Sequence, residues 1–326
     1  MSLLVVAAHY DPTGSLADHF RGSLRAYAEL ADRVVVVSTS GLAESEHGRV
    51  PAGVELLTRR NFGYDFYSYK WGLDYVQDYP DYDQVLIVND SFVGPTVPLI
   101  DITASDQAMA SDLMGMTLSH NHGDHVQSFF MLANRYVTRS RAFRSFWDDM
   151  TPVSDRTEVI QRYEVGFSRA VTAAGFGLGS YFVPTEEEER LAALRYQWHG
   201  DHRYDRKYTH KTIAEMGKIN LAARPWNPGL AYADRILLGA RLPLLKLDAL
   251  RFDPYALGAD YLLERCVENI EREFTSLPAY IANTRQFYPT RPGERNKTVT
   301  HESLAKQGVG YCLDEAFARQ AKECTA

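Results

Sequence analysis

The sequence predicts an α/β fold in which a mostly parallel sheet is covered by helices on both faces. Short runs that are apolar throughout alternate with longer stretches in which apolar residues recur every three or four positions. The first pattern is typical of strands buried on both faces, and the second marks one face of a helix. Polar clusters directly follow the predicted strands, as expected at the ligand-binding edge of an open α/β sheet.

The predicted elements follow from these patterns in chain order. Strands are predicted over 3–8, 33–37, 54–57 and 85–88, with helices over 18–30 and 67–76 between them. Beyond them, the sequence predicts an apolar run over 129–132, helices over 140–149 and 157–174, and an amphipathic helix over 260–274. The polar and basic stretch 196–218 is predicted to form a loop or lid.

Composition narrows the class of protein. With 326 residues and 45% hydrophobic content, the chain is long enough for a large core in one domain or two lobes. A net charge of −7 argues against a nucleic-acid partner. The three cysteines lack spacings typical of disulfide frameworks or zinc sites, which favours a reducing compartment. The sequence has no apolar run of about 18 residues, so we expect any membrane contact to be peripheral.

Three polar clusters follow predicted strands, and the carboxyl ends of parallel strands meet at one edge of a sheet. These clusters are HYD at 9–11, RRN at 59–61 and NDS at 89–91. Gly63 would let the backbone approach a ligand closely. Asp65 has two interpretations that stay open: it caps the next helix, or it accepts a hydrogen bond from a ribose or base.

A series of motifs along the chain indicates a particular protein family. RNFGYD at 60–65, VLIVNDSFVGP at 85–95, HVQSFFM at 125–131, AFRSFW at 142–147, YEVGF at 163–167, NPGL at 227–230 and LPLLK at 242–246 occur in this order. Together they resemble the rhamnan synthesis protein F family, whose members are similar to inverting glycosyltransferases of the GT-A fold. The resemblance implies a GT-A-like, Rossmann-type domain over 1–255, with a nucleotide-binding half at 1–110, an acceptor half at 111–255 and a helical extension at 256–326.

The resemblance also implies roles for individual residues. The implied donor-binding residues are His9, Tyr10, Arg60, Asn61, Gly63, Asp65, Asn89, Asp90 and Ser91. Residues 89–91 take the place of an Asp-x-Asp motif that holds Mg²⁺ or Mn²⁺ against the donor diphosphate. This sequence has one carboxylate there instead of two, so Asp90 either binds the metal or contacts the ribose.

Glu164 is the implied general base. An inverting transfer needs a carboxylate that removes the proton of the acceptor hydroxyl as its oxygen attacks the anomeric carbon. By residue type alone, Glu164 could equally be a helix-surface acid paired with a neighbouring arginine.

Two further segments are candidates for ligand contact. In the histidine-rich turn at 120–125, the resemblance implies that Asp124 and His125 bind the acceptor. A metal site formed with His120 and His122, and a polar loop without a role, are the alternatives. The candidates for a lid over the diphosphate are His199, His202, Arg203, Arg206 and Lys207, and a solvated charged face is the alternative.

The predicted function is transfer of rhamnose or a galactofuranose-like sugar from a dTDP- or UDP-linked donor to a bacterial surface polysaccharide. The acceptor is expected to be lipid-linked at the inner face of the cell membrane. The alternative is a non-catalytic glycan-binding or scaffold protein that retains the fold. A methyltransferase is disfavoured, because the turn after the first strand holds a single glycine, Gly14.

Overall fold

The structure is a computed structural model that describes residues 1–202, 226–255, 257–270 and 274–288. Within the first range, the side chains of residue 194 and of residues 197–202 are outside this description. The chain divides into two compact units, Met1–Tyr181 and Phe182–Ala326. The boundary between the units lies after Tyr181, whereas the sequence predicts boundaries after residues 110 and 255. Those boundaries separate regions by their predicted functional role, and they stay predictions.

The first unit alternates strands and helices. Its strands are β1 Leu3–His9, β2 Arg33–Ser38, β3 Val54–Thr58, β4 Gln84–Asn89, β5 Phe92–Val93, β6 Leu113–Gly115, β7 Leu118–Ser119, β8 His125–Val126, β9 Phe130–Asn134 and β10 Leu178–Ser180. Its α-helices are α1 Asp18–Ala28, α2 Glu44–His47, α3 Tyr64–Val76, α4 Leu99–Thr103, α5 Asp106–Ala110, α6 Arg135–Arg139, α7 Arg141–Asp148, α8 Arg156–Val159 and α9 Val165–Ala173. A π-helical turn, Ile160–Glu164, joins α8 to α9.

Seven of these strands form one sheet in the order β10-β6-β9-β4-β1-β2-β3. Strands β1 to β4 are parallel, whereas β9 runs antiparallel to both of its neighbours, β4 and β6. The predicted α/β fold with a mostly parallel sheet is confirmed.

The strand order places a topological switch point at β1. From β1 the chain continues to β2 and β3 on one side of the sheet, while β4 pairs with β1 on the other side. In open α/β sheets, such a point is where ligands bind. His9 ends β1 and Asn89 ends β4, so both lie at this point.

Helix α3 lies directly against the sheet because Gly72 faces it. A Cβ atom at Gly72 would lie 2.5 Å from Val6 Cγ1 and 3.3 Å from Val37 Cγ2. Phe66, Tyr69 and other side chains of α3 join strand residues in one continuous apolar core. This close packing holds the N-terminal end of α3 beside the carboxyl edge of the sheet.

The second unit contains α10 Glu186–His202, α11 Pro228–Ala231, β11 Leu245–Lys246, α12 Leu247–Phe252, α13 Ala259–Ile270 and α14 Leu277–Thr284. The prediction of a loop from residue 196 onward is wrong for 196–202, because α10 continues to His202. The rest of that stretch, 203–218, lies outside the described residues. Within the described ranges, no helix is long and apolar enough to cross a membrane.

A buried ionic network connects elements of the second unit. Asp234 accepts hydrogen bonds from Arg195 Nη2 at 2.5 Å and from Arg235 Nη2 at 2.9 Å. Glu188 contacts Arg235 at 3.4 Å and Arg241 at 2.9 Å. Although burial opposes ionisation, the two arginines lower the pKa of Asp234 to about 2. Asp234 is therefore a structural carboxylate.

Candidate functional site

The ends of β1 and β4 meet through Asp90. Asp90 Oδ2 accepts a hydrogen bond from the Tyr10 backbone N–H at 2.7 Å and lies 3.9 Å from His9 Nε2. His9 Nδ1 lies 2.9 Å from Ser38 Oγ, at the end of β2. The ends of β1, β2 and β4 thus meet here, which includes two of the three predicted polar clusters, those at 9–11 and 89–91.

Electrostatics distinguish the two titratable groups at this junction. Burial lowers the pKa of His9 to about 4, so its ring is neutral near pH 7. Burial, and then the nearby Asp65, raise the pKa of Asp90 well above its ordinary value. His9 and Asp90 therefore do not form an ion pair, and a cation beside Asp90 would favour its charged form.

Asn89 links Asp90 to the start of helix α3. Its Nδ2 donates to Asp65 Oδ2 at 2.8 Å, and its Oδ1 accepts from the N–H and the hydroxyl of Ser91 at 3.0 and 2.7 Å. The predicted donor-binding roles of Asn89 and Ser91 stay predictions, but their side chains contact each other. The capping interpretation of Asp65 is wrong, because Gly63 occupies the N-cap position of α3.

The loop between β3 and α3 is organised by Arg59. Its guanidinium donates to the carbonyl oxygens of residues 60, 62 and 64 and to Ser68 Oγ. Gly63 and Tyr64 both have positive φ, +74° and +54°, and a Cβ at Gly63 would lie 2.7 Å from Tyr67 Cβ. Gly63 is therefore required by the backbone of this loop.

Two predicted donor-binding residues, Arg60 and Asn61, project from this same loop. Both are exposed, as are the neighbouring rings of Phe62 and Tyr64. Tyr10, at the end of β1, is also 41% exposed. Exposed polar and aromatic groups at strand ends can contact a ligand without disrupting the sheet.

Tyr69 connects the donor-side residues to Glu164. Its buried hydroxyl donates to the Ser128 carbonyl oxygen at 2.9 Å. Burial raises the pKa of Tyr69 well above its ordinary value, and the nearby carboxylates Asp65, Asp90 and Glu164 raise it further. The three predicted carboxyl groups therefore lie near one neutral phenol.

Glu164 is held by residues of the HVQSFFM segment. Its Oε2 accepts hydrogen bonds from the N–H of Ser128, at 2.9 Å, and from the Ser128 hydroxyl, while its Oε1 lies 3.6 Å from His125 Nε2. Burial opposes ionisation, but the contact with His125 and the hydrogen bonds from Ser128 outweigh it and lower the pKa of Glu164. Glu164 also ends the π-helical turn, a feature that is frequent at functional sites.

The histidine-rich turn splits into an exposed and a buried part. His120 Nδ1 contacts Asp124 Oδ1 at 2.7 Å, and the Asp124 side chain is 69% exposed. His125 is buried at 3% exposure, and its Nδ1 lies 2.8 Å from the Gly123 carbonyl oxygen. The Asp124 side chain is therefore accessible from solvent, whereas the His125 ring contacts protein atoms on both nitrogens. Acceptor binding by these residues stays a prediction.

The predicted lid residues fall largely outside the described part of the chain. Arg203, Arg206 and Lys207 lie in the segment that is not described. His199 and His202 belong to α10, but their side chains are not described. Their diphosphate-binding role stays a prediction.

The Asp90 carboxylate could bind a divalent cation only if other ligands completed the coordination of the metal. Among the described residues, no group of three or more His, Cys, Asp or Glu side chains could hold a metal ion. Mg²⁺ is commonly held by one or two carboxylates together with substrate phosphates and waters. Asp90, whose charged form a cation would favour, is the residue that would hold it.

Several residues that build the site are not among those that the sequence predicts. Arg60 is the predicted donor-binding residue of the loop, but the loop is held by Arg59. Ser128 lies inside the HVQSFFM motif, yet its contact with Glu164 spans 36 positions in sequence. The sequence predicts Tyr69 only as part of a helix. None of these contacts has a local sequence signal.

Comparison with known proteins identifies a related family. The family model described as "Rhamnan synthesis protein F" matches residues 34–202, just over half of the 326-residue chain. The uncharacterized protein y4gN of Sinorhizobium fredii is 26% identical over 194 residues, which cover 57% of this chain and 49% of that protein. The virulence protein VirA of Vibrio anguillarum is 32% identical over 114 residues, covering 33% of this chain and 36% of that protein.

The chain thus spans about half, or less, of the length of the curated relatives it matches. Among solved structures, a crystal structure of S. aureus TarS 1-349 is similar at 13% sequence identity and a TM-score of 0.34. That match covers 94% of this chain and 92% of the TarS chain. A TM-score of this size does not establish a shared fold.

Proposed function

Because the chain belongs to the rhamnan synthesis protein F family, we propose that it transfers a sugar from a nucleotide-sugar donor to a bacterial surface polysaccharide. The observation that carries this proposal is that Asp65 of helix α3 bonds to Asn89, next to Asp90, while Ser128 bonds both to Tyr69 of the same helix and to Glu164. Asn89 ends β4 at the topological switch point, which is the position where open α/β sheets bind ligands.

The donor nucleotide would lie over the exposed loop with Arg60 and Asn61 and against Asp65. Its diphosphate would lie near Asp90 and Tyr10. A divalent cation at Asp90, if bound, supplies Lewis-acid stabilisation of the departing diphosphate. A dTDP-linked rhamnose or a UDP-linked hexose or galactofuranose is the proposed donor, and the cytosolic face of the inner membrane the proposed location.

Glu164 is the proposed general base of an inverting transfer. The acceptor hydroxyl oxygen bonds to the anomeric carbon, the bond from that carbon to the diphosphate breaks, and the hydroxyl proton passes to Glu164. The lowered pKa keeps Glu164 ionised at neutral pH, which a general base must be.

The test is release of nucleotide diphosphate from dTDP-rhamnose and from UDP-hexoses, with and without Mn²⁺ and a glycan acceptor. We expect Glu164→Gln to abolish acceptor-dependent release. Glu158→Gln is the matched control, because the Glu158 side chain is 53% exposed and pairs with Arg162. Nucleotide-sugar or glycan binding without any turnover would overturn the proposal and favour a glycan-binding protein.

A further inference from the structure

His125 has an arrangement that the transfer reaction by itself does not explain. Its buried ring presents Nδ1 to the Gly123 carbonyl oxygen at 2.8 Å and Nε2 to Glu164 Oε1 at 3.6 Å. Carbonyl and carboxylate oxygens only accept hydrogen bonds. A neutral imidazole carries one N–H and would therefore turn a lone pair toward one of these oxygens. The protonated ring is complementary to both.

The surroundings of Glu164 decide which partner carries the extra proton. The N–H and the hydroxyl of Ser128 both donate to Glu164 Oε2. Two donors on one oxygen stabilise the carboxylate over the neutral acid. A neutral His125 beside a protonated Oε1 would also pair every polar atom, but the two donors on Oε2 favour the charged carboxylate and with it the protonated ring.

We propose that His125 and Glu164 form a buried imidazolium–carboxylate pair, in which His125 orients the carboxylate and sets the pH range over which it accepts a proton. The role of His125 in catalysis rests on the proposed function. The existence of the charged pair does not, because it follows from the contacts of the two side chains. His125 is a positioning residue, since its ring contacts Glu164 and the Gly123 carbonyl.

The other charged groups around the pair are consistent with this state. Asp124 lies next to His125 in sequence, and its negative charge favours the imidazolium. On helix α9, the Arg169 guanidinium donates to the His122 carbonyl oxygen. Tyr69 lies near Glu164 as a neutral phenol. Burial acts to lower the pKa of His125, but the contacts with Glu164 and the Gly123 carbonyl outweigh it and raise that pKa above its ordinary value.

The pair is tested first without any substrate. The ring signals of the 10 histidines are followed by NMR as a function of pH in the full chain, and His125 is assigned with His125→Gln. We expect His125 to titrate above 6.5, its ordinary value, and its pKa to fall by at least about one unit in Glu164→Gln. Glu158→Gln should leave it unchanged. A His125 that titrates at or below 6.5, or that ignores Glu164→Gln, overturns the inference.

The functional consequence is tested by the pH dependence of kcat/KM. Without the imidazolium, Glu164 should need a higher pH to ionise, so His125→Gln should move the acid limb upward by about one unit, or about tenfold in kcat/KM on that limb. His47→Gln, at an exposed position on α2, is the control. An unmoved acid limb overturns the role of His125. If NMR shows the pair but no transfer occurs in any variant, the proposed function fails and the pair stands.

Discussion

Replacing Ser128 with alanine should raise the pKa of Glu164, because Oε2 of the carboxylate loses one of its two Ser128 hydrogen-bond donors. The variant removes the hydroxyl donor to Glu164 Oε2 and keeps the backbone N–H donor, which lies 2.9 Å from the same oxygen. A hydrogen bond to a charged group contributes about 1.5–3 kcal/mol, and one pKa unit corresponds to about 1.4 kcal/mol. The pKa of Glu164, lowered in the native protein, should therefore rise by about one to two units.

The assay is the pH profile of kcat/KM for transfer, because its acid limb reports ionisation of the base in the free enzyme. Since protonated Glu164 cannot accept the acceptor's proton, Ser128→Ala should lose activity below neutral pH and approach the native rate at higher pH. Ser111→Ala is the matched control, as the Ser111 hydroxyl donates to the Gln107 carbonyl oxygen. A loss that is equal at every pH would refute the reasoning and indicate that Ser128 serves another purpose.

Three other expectations concern the scaffold. Arg59→Ala should raise KM for the sugar donor more than it changes kcat, because the loop loses the guanidinium that binds three of its carbonyl oxygens. Steady-state kinetics measure both constants, and unchanged values would contradict this expectation. Gly72→Ala should destabilise the first unit by about 1–3 kcal/mol in urea unfolding, because its Cβ would lie 2.5 Å from Val6 Cγ1; a stability equal to that of the native protein would refute the predicted overpacking. Asp234→Ala should cost the second unit about 3–5 kcal/mol, because it leaves two buried arginines without their shared carboxylate. The pKa of Asp234 is about 2 in the folded protein and 3.8 in the unfolded chain, so the free energy of unfolding of the native protein should fall as pH drops from about 4 to about 2. In Asp234→Ala this fall should be smaller. Unfolding curves recorded at each pH measure both.

Much of the parallel half of the fold could be predicted from local sequence. The runs predicted at 3–8, 33–37, 54–57 and 85–88 correspond to strands β1 to β4 with shifts of one residue at most. Strands β1, β2 and β4 are buried and therefore mostly apolar, whereas β3, at the edge of the sheet, is only partly buried and includes Glu55. The antiparallel direction of β9 had no such signal, since an apolar run has the same composition in either direction. Residues 196–202 were taken for a loop because of their polarity, but they continue helix α10.

For the site, the sequence by itself determined the ends of the strands and thus two polar residues that can converge there, His9 and Asp90. Strand ends are local features, and the fold of a parallel sheet brings them together. Only the tertiary structure decided that Glu164 contacts Ser128 and His125, and that Arg59 instead of Arg60 holds the loop. These contacts join residues far apart in sequence, or depend on which way one side chain turns, and no periodicity in the sequence records either.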